Sequence, residues 1–129
     1  MCQAYRIQHS FDAISTIPTN LYGSGKPLRE FLHVDDFADA LVFLMENGME
    51  HVNVESGKEV SIKELVELVK EVVGYEGEIV RDSTKLDGTP RKLMDSSKLA
   101  GLGWEPKVSL KDGLIDTYRR YLEKVSNEQ

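Results

Sequence analysis

A chain of 129 residues, 40% hydrophobic and 29% charged, suits one globular domain with a real core. Its formal net charge of −6 sets the average surface against a polyanion, so no nucleic-acid partner is expected, although one local basic pocket for a small phosphorylated ligand remains open. The single cysteine, Cys2, excludes an internal disulfide and a cysteine-based zinc site, and the longest strongly apolar run, residues 40–45, is far too short to span a bilayer. Residues 1–10 carry no apolar stretch of leader-peptide type, and the expected location is cytoplasmic, with no membrane partner.

Gly/Pro punctuation divides the chain into alternating helix-like and strand-like stretches, which predicts an α/β (α+β-like) domain with a small sheet and three main helices. Residues 1–10 read as a helix, and residues 12–18, apolar and partly β-branched up to Pro18, as a strand. Residues 29–34 form a second short strand. A helix then follows from Asp35 as N-cap, with Phe37, Leu41, Leu44 and Met45 on one face and Gly48 near its end. Residues 51–54 read as a brief strand. Ser61 and Glu64 have the spacing of a capping box, Val60 and Leu65 that of a hydrophobic staple, and Gly74 stops the helix between them. Residues 77–80 give another strand, Asp95 caps a short helical turn, and a last helix runs from Ser109 through Leu114, Tyr118, Tyr121 and Leu122.

The turn Gly23-Ser24-Gly25-Lys26-Pro27 invites a phosphate reading. It is not a P-loop: the first glycine of that motif would fall on Asn20 and the Ser/Thr on Pro27, which opposes a helix start. No Gly-x-Gly-x-x-Gly occurs, so a complete dinucleotide-binding βαβ unit is absent from the sequence. The remaining basic candidates are Arg29, whose planar fork suits phosphate oxygens, and the turn Asp87-Gly88-Thr89-Pro90 with Arg91 and Lys92 behind it. Taken singly, these are a surface turn, an edge-strand arginine and a charged loop. His33 beside Asp35 and Asp36 suggests a metal or acid–base pair, but a capping role for Asp35 accounts for that spacing, and no metal ligand or catalytic residue is assigned.

Together, "PTNLYG", "GSGKPLREFLHVDDFADAL", "HVNVESGKEVSIKEL", "DGTPRKLMD" and "LGW" occur in an order that resembles the GDP-L-fucose synthase family of extended short-chain dehydrogenases. The resemblance covers nearly the whole chain. It implies an NADP-dependent epimerase/reductase acting on GDP-4-keto-6-deoxy-D-mannose. Pro18, Thr19, Asn20 and Leu21 would then touch the nicotinamide side of NADP. Arg29 would contact the GDP-sugar, Asp87 the substrate, and Lys92 lies in the same matching loop. It further implies a division into residues 1–23, a remnant of the dinucleotide-binding domain, and residues 24–129, the nucleotide-sugar-binding domain, with the helix at 1–10 in a region that helps homodimers form.

The resemblance also implies what is missing. The family's Gly-rich loop and its catalytic Ser, Tyr/Lys and Cys would precede Met1, and a long stretch bearing a histidine acid would separate Gly23 from Ser24. Glu55 stands where the family usually has glycine. The expectation is the substrate-binding portion of such an enzyme, inactive alone; the alternative is a non-catalytic nucleotide-sugar-binding or assembly module.

Overall fold

A computed structural model describes residues 20–48 and 51–127. The helix expected over 1–10, the strand over 12–18 and two of the expected cofactor residues, Pro18 and Thr19, lie outside these. Four strands and four helices follow in the order β1 (Asn20–Tyr22), β2 (Leu28–Glu30), α1 (Val34–Glu46), β3 (Glu59–Ser61), α2 (Ile62–Val73), β4 (Val80–Asp82), α3 (Ser97–Gly101) and α4 (Leu110–Asn127). The mixed α/β class and the three main helices are as expected. The sheet is divided in two: β1 pairs parallel with β4, and β2 pairs antiparallel with β3. Leu28 also bridges in parallel to Arg91 and donates its N–H to Pro90 O at 2.9 Å, so the 90–91 segment lies along the free edge of β2.

The best local signal in the sequence forms as expected. Ser61 Oγ accepts from the Glu64 N–H (3.1 Å), Glu64 Oε2 accepts from the Ser61 N–H (2.9 Å), and Gly74 ends α2 with φ +71°. Ser109 starts α4 in similar fashion, its Oγ accepting from the Asp112 N–H at 3.1 Å. Asp95 accepts from the Ser97 N–H at 2.9 Å and so supports the start of α3.

Four local expectations need correction. Residues 29–34 are not one strand: pairing ends at Glu30, and α1 begins at Val34 with His33 as its N-cap, His33 Nδ1 accepting from the Asp35 N–H at 3.3 Å. The inward face of α1 is Asp36, Ala40 and Leu44, with Phe37 half-buried, whereas Leu41 and Met45 are exposed. The cause is Asp36, only 2% exposed, whose two carboxylate oxygens accept the N–H groups of Lys107 (3.1 Å) and Val108 (2.9 Å) and hold that side of the helix inward. Residues 51–54 are not a strand: among the described residues no segment pairs with them. Val52 and Val54 nonetheless pack against the core of Ala40, Leu44, Leu99 and Trp104. The strand expected at 77–80 begins only at Val80.

Candidate functional site

The glycine turn is held by its neighbours rather than open to a ligand. Gly25 O accepts from the Lys63 N–H (3.0 Å) and Pro27 O from the Ile62 N–H (3.1 Å), which satisfies two of the otherwise unpaired amides at the start of α2. Those amides are therefore not available to a phosphate. On its other side the turn meets Asp87. Oδ1 of Asp87 accepts from the Ser24 N–H (2.7 Å) and Oδ2 from the Ser24 hydroxyl (2.6 Å). These donors, the hydroxyl first, pull the Asp87 carboxyl below its ordinary value. Gly23, at φ +72°, is required here: a Cβ would stand 2.3 Å from Asp87 Oδ1.

Arg29 follows on β2. It is half-buried, and Nη1 donates to Leu28 O at 2.6 Å. Its Nη2 lies beside Gly88, where an added Cβ would be in ordinary contact at 3.6 Å, so the turn after Asp87 packs against the guanidinium. Among the described residues no carboxylate pairs with Arg29, whereas Arg91, Arg119 and Arg120 each have at least one. The structure thus brings Arg29 and Asp87 to one locality. Lys92 is exposed one residue beyond Arg91 and has no hydrogen-bond or ion-pair partner among the described residues. Asn20 and Leu21 lie on β1, in register with Val80 and Arg81.

The other face of β2 is acidic. Glu30 stands opposite Glu59 in the β2–β3 register. Arg91 embraces Glu59 through Nε, at 2.7 and 2.9 Å from the two carboxylate oxygens, and through Nη2. Glu55 Oε2 accepts from the Met94 N–H at 3.1 Å. Sequence reasoning missed these carboxylates and also missed Ser24. A partner 63 residues away leaves no trace in local spacing, although the Asp87-Gly88 turn was itself a usable signal.

His33, Asp35 and Asp116 bring potential metal-ligand atoms within 4.8 Å of one another. Arg120 already lies between the two carboxylates, with Nη2 2.9 Å from Asp35 and Nε 2.6 Å from Asp116. The cluster is an ion-pair clasp between α1 and α4. His33, its side chain 8% exposed, fills the space beside Gly113, where a Cβ would stand 3.0 Å from the ring.

No helix among the described residues is long and apolar enough to cross a membrane. For NADP, the fit is incomplete: the sequence has no Gly-x-Gly-x-x-Gly, and the 23–27 turn commits the Gly25 and Pro27 carbonyls to α2 and Ser24 to Asp87.

The sequence profile of the GDP-mannose 4,6 dehydratase family matches residues 7–117. GDP-L-fucose synthase 1 of Arabidopsis thaliana is 56% identical over 163 aligned positions, covering 98% of this chain and 50% of that protein. The chain therefore spans about half the length of the curated relative, and because 163 positions exceed its 129 residues, at least 34 of them have no counterpart here. Among solved structures, a GDP-mannoheptose C4 reductase from Campylobacter jejuni with NADP bound is 40% identical (TM-score 0.70, covering 80% of this chain and 34% of that one). A GDP-L-fucose synthetase from Naegleria fowleri bound to NADP is 25% identical, with TM-score 0.76, covering 90% and 38%.

Proposed function

Because the chain belongs to the GDP-mannose 4,6 dehydratase family, among extended short-chain dehydrogenases, we propose that it is the substrate-binding portion of a GDP-L-fucose synthase-like, NADP-dependent epimerase/reductase. Its ligand would be GDP-4-keto-6-deoxy-D-mannose or a related GDP-sugar. The observation that carries this is Arg29: a half-buried guanidinium without a carboxylate partner among the described residues, lying against Gly88 in the turn that follows Asp87. A planar fork in that setting suits a diphosphate. Asp87, held ionised by Ser24, keeps lone pairs for a sugar hydroxyl, and Lys92 supplies a second cation to the same loop. With this goes the division into residues 1–23 on the cofactor side, where Pro18, Thr19, Asn20 and Leu21 would line the nicotinamide, and residues 24–129 on the substrate side. The residues present do not complete an NADP site. The isolated chain is expected not to oxidise NADPH in the presence of the keto-sugar.

Titration of GDP against the parent, Arg29→Ala and Arg29→Lys, by calorimetry or ligand-observed NMR, tests the proposal. Losing a charge-assisted contact removes roughly 1.5–3 kcal/mol, so Arg29→Ala weakens binding by about tenfold or more, and lysine restores only part. Equal binding by parent and Arg29→Ala reduces Arg29 to an edge-strand arginine.

An assembly module is the second reading, favoured by one observation. Val34, Leu41, Val42 and Met45 form an exposed apolar stripe on α1, with Met45 81% exposed. Sedimentation that shows self-association abolished by Leu41→Lys, in a chain that binds no GDP, supports that reading instead.

A further inference from the structure

Glu30 and Arg29 are consecutive on β2 and so face opposite sides of the strand. The Arg29 side is the candidate ligand side. On the Glu30 side the nearest ionisable groups are Glu59 across the strand pair, Glu55 from the loop that precedes β3, and Arg91 from the segment along the β2 edge. Arg91 is committed to Glu59. Both carboxylate oxygens of Glu30 are shut off from solvent, and among the described residues no N–H or O–H stands in hydrogen-bonding geometry to them. The side chain against Glu30 is another carboxyl, that of Glu55. Two ionised carboxylates cannot hydrogen-bond to each other, whereas one proton between them satisfies an oxygen on each.

We propose that Glu30 and Glu55 share one proton, and that this proton keeps Glu55 in place to hold Met94, so that its release loosens the 87–94 segment and weakens the nucleoside-diphosphate site. The consequence for ligand rests on the function proposed above; the proton and its hold on Met94 do not. The chain of contacts is short. Glu30 meets Glu55, Glu55 accepts the Met94 N–H, and the same segment carries Asp87, Gly88 and Lys92. When the proton leaves to water, Glu30, Glu55 and Glu59 become three like charges facing one arginine, and Glu55 gains by swinging out to solvent. Burial first, then the neighbouring carboxyl of Glu55, and then the charge of Glu59, push Glu30 up to about 7, against a weaker opposing pull from the nearby Gly57 backbone. The transition therefore falls near neutral pH.

The test uses the full chain without ligand. The side-chain carboxyl 13C shift of Glu30 is followed from pH 4 to 9. An inflection near pH 7 is expected; an ordinary carboxylate inflection, near 4.5, overturns the proposal. The protection factor of the Met94 amide is then measured against that of Glu64, whose capping bond lies outside the cluster. A selective fall of about tenfold between pH 6 and 8 is expected, and an unchanged ratio overturns the hold on Met94. Glu30→Gln, which keeps a donor but cannot titrate, should flatten both profiles. If that variant does not fold, the parent's titration decides alone. Finally, GDP affinity of the parent should drop about tenfold from pH 6 to 8, as expected for a coupled proton. If GDP does not bind at any pH, the proposed function fails, while the carboxyl and amide measurements still judge the shared proton.

Discussion

Two groups of acids anchor the same segment of chain, one on each side of Arg29, and they solve opposite problems. Asp87 meets two donors from Ser24, and its carboxyl is stabilised in the charged form. Glu30 meets other carboxyls, and its charged form is disfavoured. Residue type does not decide which happens, since both are carboxyls on short loops or strands. The donor supply decides it. A turn offers backbone amides and a serine hydroxyl, whereas the paired edges of β2 and β3 have already spent their amides on each other. Asp36 takes the donor-rich case to full burial: 2% exposed, it survives in the core because the N–H groups of Lys107 and Val108 converge on it.

The comparison breaks most readily at that buried member. Asp36→Ala leaves two amides without their acceptor and is expected to cost about 3 kcal/mol in urea denaturation. Asp36→Asn, which keeps one good acceptor, should cost clearly less. If the two variants are equally stable, the donor argument is wrong. Next comes Gly23→Ala, which forces a side chain into the left-handed region and against Asp87 Oδ1, for about 2 kcal/mol. In an Asp87→Ala background the steric part of that cost disappears and the backbone part remains. A double-mutant cycle with no coupling would mean that Gly23 and Asp87 do not meet. Ser61→Ala, expected to cost about 1 kcal/mol, removes a capping box that serves as a purely local reference for the long-range contacts.

That reference also shows what could be read in advance. Ser61 and Glu64 are three residues apart, Gly74 follows a clear periodic run, and Asp95 and Ser109 begin their helices by bonds spanning two or three residues. All were legible because the physics was local. The inward face of α1 was not. Hydrophobic spacing favoured Leu41 and Met45, but a carboxylate caught by amides 71 and 72 residues away turned the helix toward Asp36. Residues 51–54 had strand-like composition but no partner among the described residues, and a strand needs one. At the candidate site, Arg29, Asp87 and Lys92 are proposed from family resemblance, and Arg29 also from its chemistry. The Ser24–Asp87 clasp and the Glu30–Glu59 register were not, because both depend on which distant segments meet.

The smallest expected effect separates the two acid groups by sign. Asp87 is exposed, so Asp87→Asn should lower stability only slightly at neutral pH. Its carboxyl is held below the ordinary 3.8, so the folded protein gains from its ionisation. That gain is fully present above about pH 4 and is lost as pH falls through the lowered folded value. The thermal-midpoint gap between parent and Asp87→Asn should therefore be constant from pH 5 to 7 and close below 3.8. Glu30 runs the other way. Its folded value lies above the ordinary 4.5, so the folded state binds the extra proton between there and about 7. Stability from this group is highest on the acid side and falls as pH rises through that window. Glu30→Gln should thus match the parent near pH 5 and become relatively more stable toward pH 8. Thermal midpoints of the three proteins across pH 3 to 8 read both slopes at once. Two slopes of the same sign would show that Ser24 and Glu55 do not impose different environments, and that the donor supply around each carboxyl is not what sets its charge.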